Sequence, residues 1–161
     1  SSMYEKLAIA GGKLLVETLV KIEDGTVVYT KQDESLATHA PMLKKEEGLL
    51  DFKLSAWSLD CLIRGFKEWP TAYTYVGGKL LKVYGAKAVS SEKSAQIEDN
   101  LATKVMPGCF IVTKKNIYVK TGENLLELLE VQPEGKKRMP AMDFARGQHI
   151  ETGMNAGNIQ E

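Results

Sequence analysis

Runs of lysine and arginine occur on segments whose composition is typical of turns. The longest run, Lys136-Lys137-Arg138, follows Gly135 in the segment "QPEGKKRMPAMDF", residues 132–144. Ammonium and guanidinium groups are the groups with which proteins neutralise nucleic-acid phosphates. The other pairs of this kind are Lys44-Lys45, Lys79 with Lys82, and Lys114-Lys115. Each run predicts either a phosphate contact or a plain solvated turn.

The distribution of charge allows a local basic surface although the total is neutral. The chain has 21 Lys and Arg against 21 Asp and Glu. Residues 1–51 hold 6 basic and 9 acidic residues, whereas residues 52–161 hold 15 basic and 12 acidic residues. This balance argues against an indiscriminate polyanion binder, but a basic patch in the second part remains compatible with it.

The residue types needed for catalysis or metal binding do not occur at useful spacings. His39 and His149 have no second histidine or cysteine at ligand spacing, and Cys61 and Cys109 form no CxxC pair. We find no nucleophile elbow, P-loop or dinucleotide fingerprint. Two thiols without a disulfide framework suggest a reducing cytoplasm. No apolar run reaches the roughly 20 residues that a membrane helix needs. These features favour a binding or positioning module.

The first 50 residues divide into helical and irregular segments. Apolar residues of residues 1–30 recur with helical spacing, and Gly11-Gly12 predicts two short helices or one broken helix. These helices carry an apolar stripe that is too small to form a core alone. Residues 31–50 have the composition of a linker.

Residues 51–150 carry the pattern of a small β structure. Ser55 predicts a helix N-cap, and Gly77-Gly78 predicts a two-residue hairpin turn. Trp57 and Trp69 are expected to pack in the core or against the helix. Residues 91–105 predict an exposed loop, residues 125–131 a strand, and residues 140–145 a short closing helix. Five or six short strands indicate a fold that is mainly β with α, a small antiparallel barrel. Residues 151–161 predict a flexible tail.

Three segments in order resemble methionyl-tRNA formyltransferases. They are "APMLKKEEGLLDF" (residues 40–52), "IRGFKEWPTAYT" (residues 63–74) and "QPEGKKRMPAMDF" (residues 132–144), and "MYEKLAIAGGKLLVETL" and "QDESLATHA" upstream are also similar to that family. The resemblance runs from about residue 2 to about residue 147. The strings R-G-F-x-x-W-P and Q-P-x-G-K-K-x-M are specific at this separation.

The resemblance implies a function and a place in a larger enzyme. The family transfers a formyl group from 10-formyltetrahydrofolate to the amino group of methionine on initiator methionyl-tRNA. Its N-terminal α/β domain carries the folate site and a catalytic Asn, His and Asp, and its OB-like barrel helps to hold the tRNA. The N-terminal helices of this chain are then expected to belong to a missing α/β domain. We therefore expect the chain to be inactive alone and to bind no cofactor, and the full enzyme to be a cytoplasmic monomer that spans no membrane. His39 lies in the segment that resembles the linker and is not the catalytic histidine.

The resemblance also implies which cations face the tRNA. Lys45 matches a linker lysine of the family, and Lys136-Lys137 match its Gly-Lys-Lys turn. The full set of expected tRNA-binding residues is Lys44, Lys45, Arg64, Lys114, Lys115, Lys136, Lys137 and Arg138. Arg64 could equally pair with Asp60 one helical turn earlier. Two alternatives remain open: the barrel of a related small-molecule formyl enzyme, such as the hydrolase domain of 10-formyltetrahydrofolate dehydrogenase or a nucleotide-sugar formyltransferase, and a purely structural barrel.

Overall fold

The protein divides into two compact units, Ser1–Pro41 and Met42–Glu161. The computed structural model describes residues 2–157. The boundary between the units falls inside the segment 31–50 that the composition predicts as a linker. Residues 42–50 therefore belong to the second unit.

The first unit consists of one long helix and a short 3-10 helix. Helix α1 (Ser2–Glu23) is continuous, so the predicted break at Gly11-Gly12 is wrong. Each glycine costs about 1 kcal/mol in a helix, but the flanking Leu, Ala, Lys and Glu are strong helix formers. The 3-10 helix Glu34–Leu36 is capped by Asp33. Hydrogen bonds from the side chain and the backbone N–H of Ser35 hold the pKa of Asp33 below its ordinary value.

Large apolar side chains cover α1 without being buried. Thr18 alone is half-buried among residues 3–23, and the apolar residues are all exposed. The exposed apolar residues of α1 are Met3, Tyr4, Leu7, Ile9, Leu14, Leu15, Val16, Leu19, Val20 and Ile22. No helix within residues 2–157 combines the length and the apolar character needed to span a membrane.

The second unit is built on a six-stranded antiparallel sheet with three helices. Its strands are β1 (Ala72–Val76), β2 (Lys79–Ala88), β3 (Phe110–Val112), β4 (Ile117–Lys120), β5 (Leu125–Pro133) and β6 (Met139–Pro140). The strand order is β1-β2-β5-β4-β3, and β6 pairs with β5. Its helices are α2 (Ala56–Gly65), α3 (Ser91–Asp99) and α4 (Ala141–Gly147). The predicted fold class, mainly β with α and OB-like, is confirmed.

The predicted local signals for the hairpin, the strand and the helices hold in the second unit. Gly77 and Gly78 have φ angles of +55° and +76°, which joins β1 to β2 in a two-residue hairpin. Residues 125–131 lie within β5, and the closing helix appears as α4. The Ser55 Oγ atom accepts a hydrogen bond from the N–H of Ser58, so Ser55 caps α2 as predicted.

The core lies between the inner face of the sheet and helices α2 and α4. Alternate residues of a strand point to the same face, and on β2 the inward ones are Leu81 and Val83. Helix α2 contributes Leu59 and Ile63, which are fully buried. The register shifts on either side of Gly85, so the strand bends there between two straight halves.

The predicted exposed loop over residues 91–105 is wrong, because its first part forms helix α3. Ser90 caps the helix, and the Oγ atom of the buried Ser94 accepts a hydrogen bond from the N–H of Leu125. The Nζ atom of Lys120 lies 2.7 Å from the Oε1 atom of Glu98, which pairs α3 with β4. Tertiary contacts therefore order a polar segment that has little hydrophobic periodicity.

The predicted flexible tail is wrong for residues 151–157, which cover the edge of β3. The N–H of Phe110 donates to the carbonyl of Met154, and the N–H of Ala156 donates to the carbonyl of Gly108. The hydroxyl of Thr74 on β1 donates to the carbonyl of Ala156, which is fully buried. This segment thus bridges the two edges of the sheet and closes the barrel. The remainder of the predicted tail, residues 158–161, lies outside the described residues.

Both tryptophans lie on the surface rather than in the core. Trp57 and Trp69 are 69% and 55% exposed. The residues that fill the apolar face of α2 are instead Leu59 and Ile63, so the indole of Trp57 points away from the sheet. The prediction that both tryptophans pack inside is wrong.

Candidate nucleic-acid interface

A line of three side chains crosses the outer face of the sheet. Tyr73 on β1 pairs with Lys82 on β2, and Lys82 pairs with Gln132 on β5. Directly opposed residues of neighbouring strands point to the same face. The neighbours of Lys82, Leu81 and Val83, enter the core, so Lys82 and its two partners face outward.

A short 3-10 helix, Lys45–Gly48, brings predicted site residues to one end of this line. The N–H of Leu50 donates to the carbonyl of Tyr73 at 2.8 Å, which holds the segment against β1. A Cβ at Gly48 would lie 2.5 Å from the carbonyl oxygen of Thr71 and 3.2 Å from the Tyr73 ring, so only glycine permits this approach. Lys45 begins this 3-10 helix and is exposed.

Lys44 and two acidic residues complete this end of the line. The N–H of the exposed Lys44 donates to the Oε2 atom of Glu47 at 3.1 Å, so that carboxylate is used to hold the helix start. Burial raises the pKa of the Tyr73 phenol, and Tyr75 and the Glu46 carboxylate raise it further. Tyr73 and Tyr75 also contact edge to face, with ring centroids 5.9 Å apart. The phenol of Tyr73 therefore stays neutral and can act as a hydrogen-bond donor.

The turn after β5 brings the longest basic run to the other end of the line. The N–H of Lys136 donates to the carbonyl of Pro133, which closes the turn. The Nε2 atom of Gln132 donates to the carbonyl of Lys136 at 2.8 Å, which fixes the turn to the outer face of β5. Lys136 and Lys137 are both exposed.

Arg138 is held by an aromatic ring. Its Cζ atom lies 3.5 Å from the centroid of the Tyr84 ring. Tyr84 follows Lys82 by two residues on β2, at the register shift between Val83 and Gly85, and only 9% of it is exposed. The cation–π contact with the exposed Arg138 is worth about 0.5–1 kcal/mol, and it fixes the direction of the guanidinium.

We call this set of residues the basic row. A groove of about 180 Å³ lies along it, and Lys82 and Gln132 line one side of that groove. The carboxylate of Glu134 lines the groove as well, so the surface is not purely cationic. The residues of the basic row are Lys45, Tyr73, Lys82, Tyr84, Gln132, Lys136, Lys137 and Arg138.

The remaining predicted site residues lie elsewhere on the second unit. The Nε atom of Arg64 lies 3.3 Å from the Oδ1 atom of Asp60, and its Nη2 atom donates to the Sγ atom of Cys61. The alternative pairing of Arg64 is therefore present in the structure. Lys114 and Lys115 are exposed in the turn between β3 and β4, at the sheet edge opposite β1.

The described residues contain no group of three or more His, Cys, Asp or Glu side chains that could hold a metal ion. Cys61 and Cys109 are both free thiols. Within residues 2–157 the arrangement that stands out is thus a surface of cations and aromatic rings.

The expected tRNA-binding set did not include Lys82, although the pair of Lys79 with Lys82 was a candidate phosphate contact, and it included none of Tyr73, Tyr84 and Gln132. Strand alternation was a usable signal for Tyr73 and Lys82, because both alternate with buried residues on either side of a hairpin turn. The pairing of β2 with β5 was not readable, since about 50 residues separate Lys82 from Gln132. That pairing is what joins the two ends of the basic row.

The second unit corresponds to a known domain family. Residues 42–149 match the family model described as formyl transferase, C-terminal domain. The chain therefore belongs to the formyl transferase C-terminal domain family, as the sequence resemblance implied.

Curated relatives named methionyl-tRNA formyltransferase match nearly the whole chain. The protein of Agathobacter rectalis is 42% identical over 153 residues, which is 94% of this chain and 46% of the relative. The protein of Bacillus subtilis is 41% identical over 154 residues, which is 94% of this chain and 45% of the relative. The chain spans about half the length of the curated relatives it matches.

Solved structures of a more distant protein share the fold. A variant of HypX from Aquifex aeolicus aligns with a TM-score of 0.57 at 14% identity, covering 92% of this chain and 25% of HypX. HypX in complex with tetrahydrofolic acid aligns with a TM-score of 0.52 at 15% identity, covering 83% of this chain and 22% of HypX. At this identity the likeness concerns the fold alone.

Proposed function

We propose that this chain is the C-terminal, tRNA-binding and positioning part of a methionyl-tRNA formyltransferase. The complete enzyme would transfer a formyl group from 10-formyltetrahydrofolate to the amino group of methionine on initiator methionyl-tRNA. Relatives about 40% identical over nearly all of the chain support this function. The basic row supplies the physical reason for assigning the tRNA contact to this part.

One observation carries the proposal: strand register aligns Lys82 with Tyr73 and Gln132 across three strands. The basic turn is tied to this line by the bond from Gln132 to Lys136, and the segment that carries Lys45 is held against β1 by the bond from Leu50 to Tyr73. Neighbouring strands lie about 4.8 Å apart, so Tyr73 and Gln132 are about 10 Å apart, and the flanking segments extend the surface further. Such a length suits several successive phosphates of one RNA strand. Aromatic rings between the cations are typical of surfaces that bind nucleic acid.

The proposed assignment to a longer enzyme also explains the exposed apolar side chains of α1. Ten exposed apolar side chains on one helix are unusual on a free surface. We propose that α1 belongs to the α/β domain of the longer enzyme and that this domain covers it. The length of the curated relatives supports this interpretation.

The chemistry then belongs to the part of the enzyme outside this chain. The folate co-substrate and the catalytic Asn, His and Asp would lie in the α/β domain, and this chain would be inactive alone. Its residues bind and orient the tRNA, so that the methionyl end reaches the catalytic domain. We propose a cytoplasmic, monomeric enzyme, in line with the translation function.

The test is a titration of fluorescently labelled initiator tRNA with this chain at several salt concentrations, followed by anisotropy. Neutralising about 3–5 phosphates gives a slope of log affinity against log salt of roughly −2 to −4. The double variant Lys136→Ala/Lys137→Ala is expected to reduce the size of that slope by about 1.5.

A matched double variant, Lys93→Ala/Lys104→Ala, serves as the control. Lys93 lies on helix α3, which is anchored at Leu125, and Lys104 precedes Val105, which packs with Leu125 in one apolar cluster. Leu125 precedes Gln132 by seven residues and therefore lies roughly 23 Å away along β5. The control is expected to keep the slope of the unmodified chain. Equal losses in both double variants would contradict the assignment of the tRNA contact to the turn after β5. No binding at low salt would contradict tRNA binding by this chain and favour a small-molecule formyl enzyme or a purely structural barrel.

A further inference from the structure

A half-enclosed cavity of about 540 Å³ lies at one end of the barrel. The β1–β2 hairpin, the turn after β5 and the end of α4 surround it. Its floor is apolar and includes Leu81, Phe144 and Ile150, each less than 10% exposed. The volume falls within the range of roughly 300–1,000 Å³ that is typical of small-molecule sites.

The cavity and the groove of the basic row lie on opposite sides of one turn. Leu80, Pro133 and Glu134 line both of them. The N–H of Glu134 donates to the carbonyl of Leu80 at 3.0 Å, so the turn is tied to β2 at that point. An RNA strand bound along the basic row would therefore reach the cavity by crossing residues 133–136.

Polar groups around the cavity restrict the chemistry of its ligand. The side chains of Lys79 and Lys136 line it and favour an anion. The amides of Gln148 and Asn155 and the carboxylate of Glu134 add both donors and acceptors. An aliphatic anion would use the lysines and the apolar floor but would leave these groups without partners. A nucleobase has a flat apolar face and an edge that both donates and accepts hydrogen bonds.

We propose that the cavity takes one unstacked nucleobase of the RNA that lies along the basic row, with the adjoining phosphate between Lys79 and Lys136. This inference rests on the proposed function. The apolar floor receives the face of the base, and Gln148 and Asn155 contact its edge. The ligand class is thus a single-stranded nucleotide, which makes the cavity sensitive to base and not only to charge.

The test uses mononucleotides, so that the cavity is probed apart from the tRNA. The ¹⁵N-labelled chain is titrated with AMP, CMP, GMP and UMP, and with ribose 5-phosphate as the probe without a base, and amide chemical shifts are recorded. We expect shifts at Gly77, Phe144 and Ile150. At least one nucleotide is expected to bind about fivefold or more tightly than ribose 5-phosphate, because base stacking adds to the phosphate contact.

Two variants and one control locate the effect. Lys79→Ala and Gln148→Ala are each expected to weaken nucleotide binding severalfold. Lys87→Ala removes an exposed lysine from the other end of the same strand and is expected to change nothing. The amide spectrum of each variant shows whether the barrel is still folded.

The outcomes separate this inference from the proposed function. Equal affinity for ribose 5-phosphate and the nucleotides, shifts confined to the exposed lysines, or no shifts at all would each overturn the cavity as a base site. In those cases the salt-dependent binding of tRNA to Lys136 and Lys137 would still decide the proposed function. Loss of tRNA binding together with base-dependent shifts in the cavity would refute the proposed function and retain a nucleotide site.

Discussion

Two turns of this barrel carry a lysine pair, and their surroundings differ. In the turn between β3 and β4, Thr113 and Asn116 flank Lys114-Lys115. The Thr113 hydroxyl forms hydrogen bonds with the carbonyl and the N–H of Asn116. The Nδ2 atom of Asn116 also donates to the Oε1 atom of Glu127 at 2.5 Å. In the turn after β5, a single side-chain bond from Gln132 fixes a run that continues into Arg138.

Whether a lysine pair becomes part of a larger cationic surface depends on the strands beside it. The turn after β5 adjoins β2, which carries Lys82 and the Tyr84 ring under Arg138. The turn between β3 and β4 lies at the far edge of the sheet and has the carboxylate of Glu127 beside it. Equal composition therefore leads to one extended cationic surface and one isolated pair.

Charge reversal in the two turns gives the largest expected effect. Lys136→Glu/Lys137→Glu is expected to reduce tRNA affinity at low salt by about 100-fold, since two phosphate contacts become repulsive. Lys114→Glu/Lys115→Glu makes the same change of charge away from the basic row, and we expect a loss of about threefold or less. Anisotropy titrations at one low salt concentration measure both.

The comparison of the two turns would fail if both reversals weakened binding alike. That outcome would mean that the tRNA spans the whole barrel, or that only net charge matters. A difference in tRNA affinity between the two variants that is larger at high salt than at low salt would also contradict the proposal. Salt screens charge interactions and should make this difference smaller.

The bonds that hold the two turns give the next largest effect, on stability. Thr113→Val removes the hydroxyl that both donates to the carbonyl and accepts from the N–H of Asn116, and we expect a loss of about 1 kcal/mol in the free energy of unfolding. Gln132→Ala removes an exposed bond and is expected to cost less than about 0.5 kcal/mol. Urea denaturation measures both.

In tRNA binding, we expect the order of the two effects to be the reverse of that in stability. Gln132→Ala frees the turn that carries Lys136 and should weaken binding severalfold, whereas Thr113→Val should leave it unchanged. A stability loss at Gln132 as large as that at Thr113 would show that the turn after β5 is a structural element rather than a presented surface.

Local signals in the sequence were enough to predict the β1–β2 hairpin and the start of α2. The hairpin turn Gly77-Gly78 and the cap Ser55 have backbone requirements that few other residues satisfy, so their positions were readable. The outward direction of Lys82 follows from the alternation on β2. The strand over residues 125–131 was predictable only from its position between turns in a series of short strands, because its leucines also suit a helix.

Long-range contacts decided what could not be read. Helix α3 depends on the bond from Leu125 to Ser94 and on the ion pair of Lys120 with Glu98, which no local pattern reveals. The closing segment is ordered by β3 and by Thr74, although its Gly and Asn content is typical of a tail. The basic row itself depends on the pairing of β2 with β5.

Removal of the Tyr84 ring tests whether this ring holds Arg138 in place for binding RNA. Tyr84→Leu removes the cation–π contact, and we expect a two- to fivefold loss of tRNA affinity, consistent with about 0.5–1 kcal/mol. Tyr84→Phe keeps the ring face and should bind as the unmodified chain does. Equal affinity of the Leu and Phe variants in anisotropy titrations would mean that Arg138 does not contact the RNA, or needs no support to do so.

The smallest effect separates a tyrosine of the basic row from one on β4. Burial raises the pKa of Tyr73, with Tyr75 and Glu46 adding to it, and burial followed by Glu127 raises the pKa of Tyr118. A pKa that is higher in the folded state contributes stability below the unfolded value near 10, and that contribution is lost as the pH rises through the folded value. Stability should therefore fall as the pH rises above about 10, and Tyr73→Phe and Tyr118→Phe should each flatten that fall. Glu46→Gln should lower the pKa of Tyr73 alone, as followed by phenolate absorbance. A shift of Tyr118 in that variant would mean that Glu46 acts across the sheet and not through its contact with the basic row.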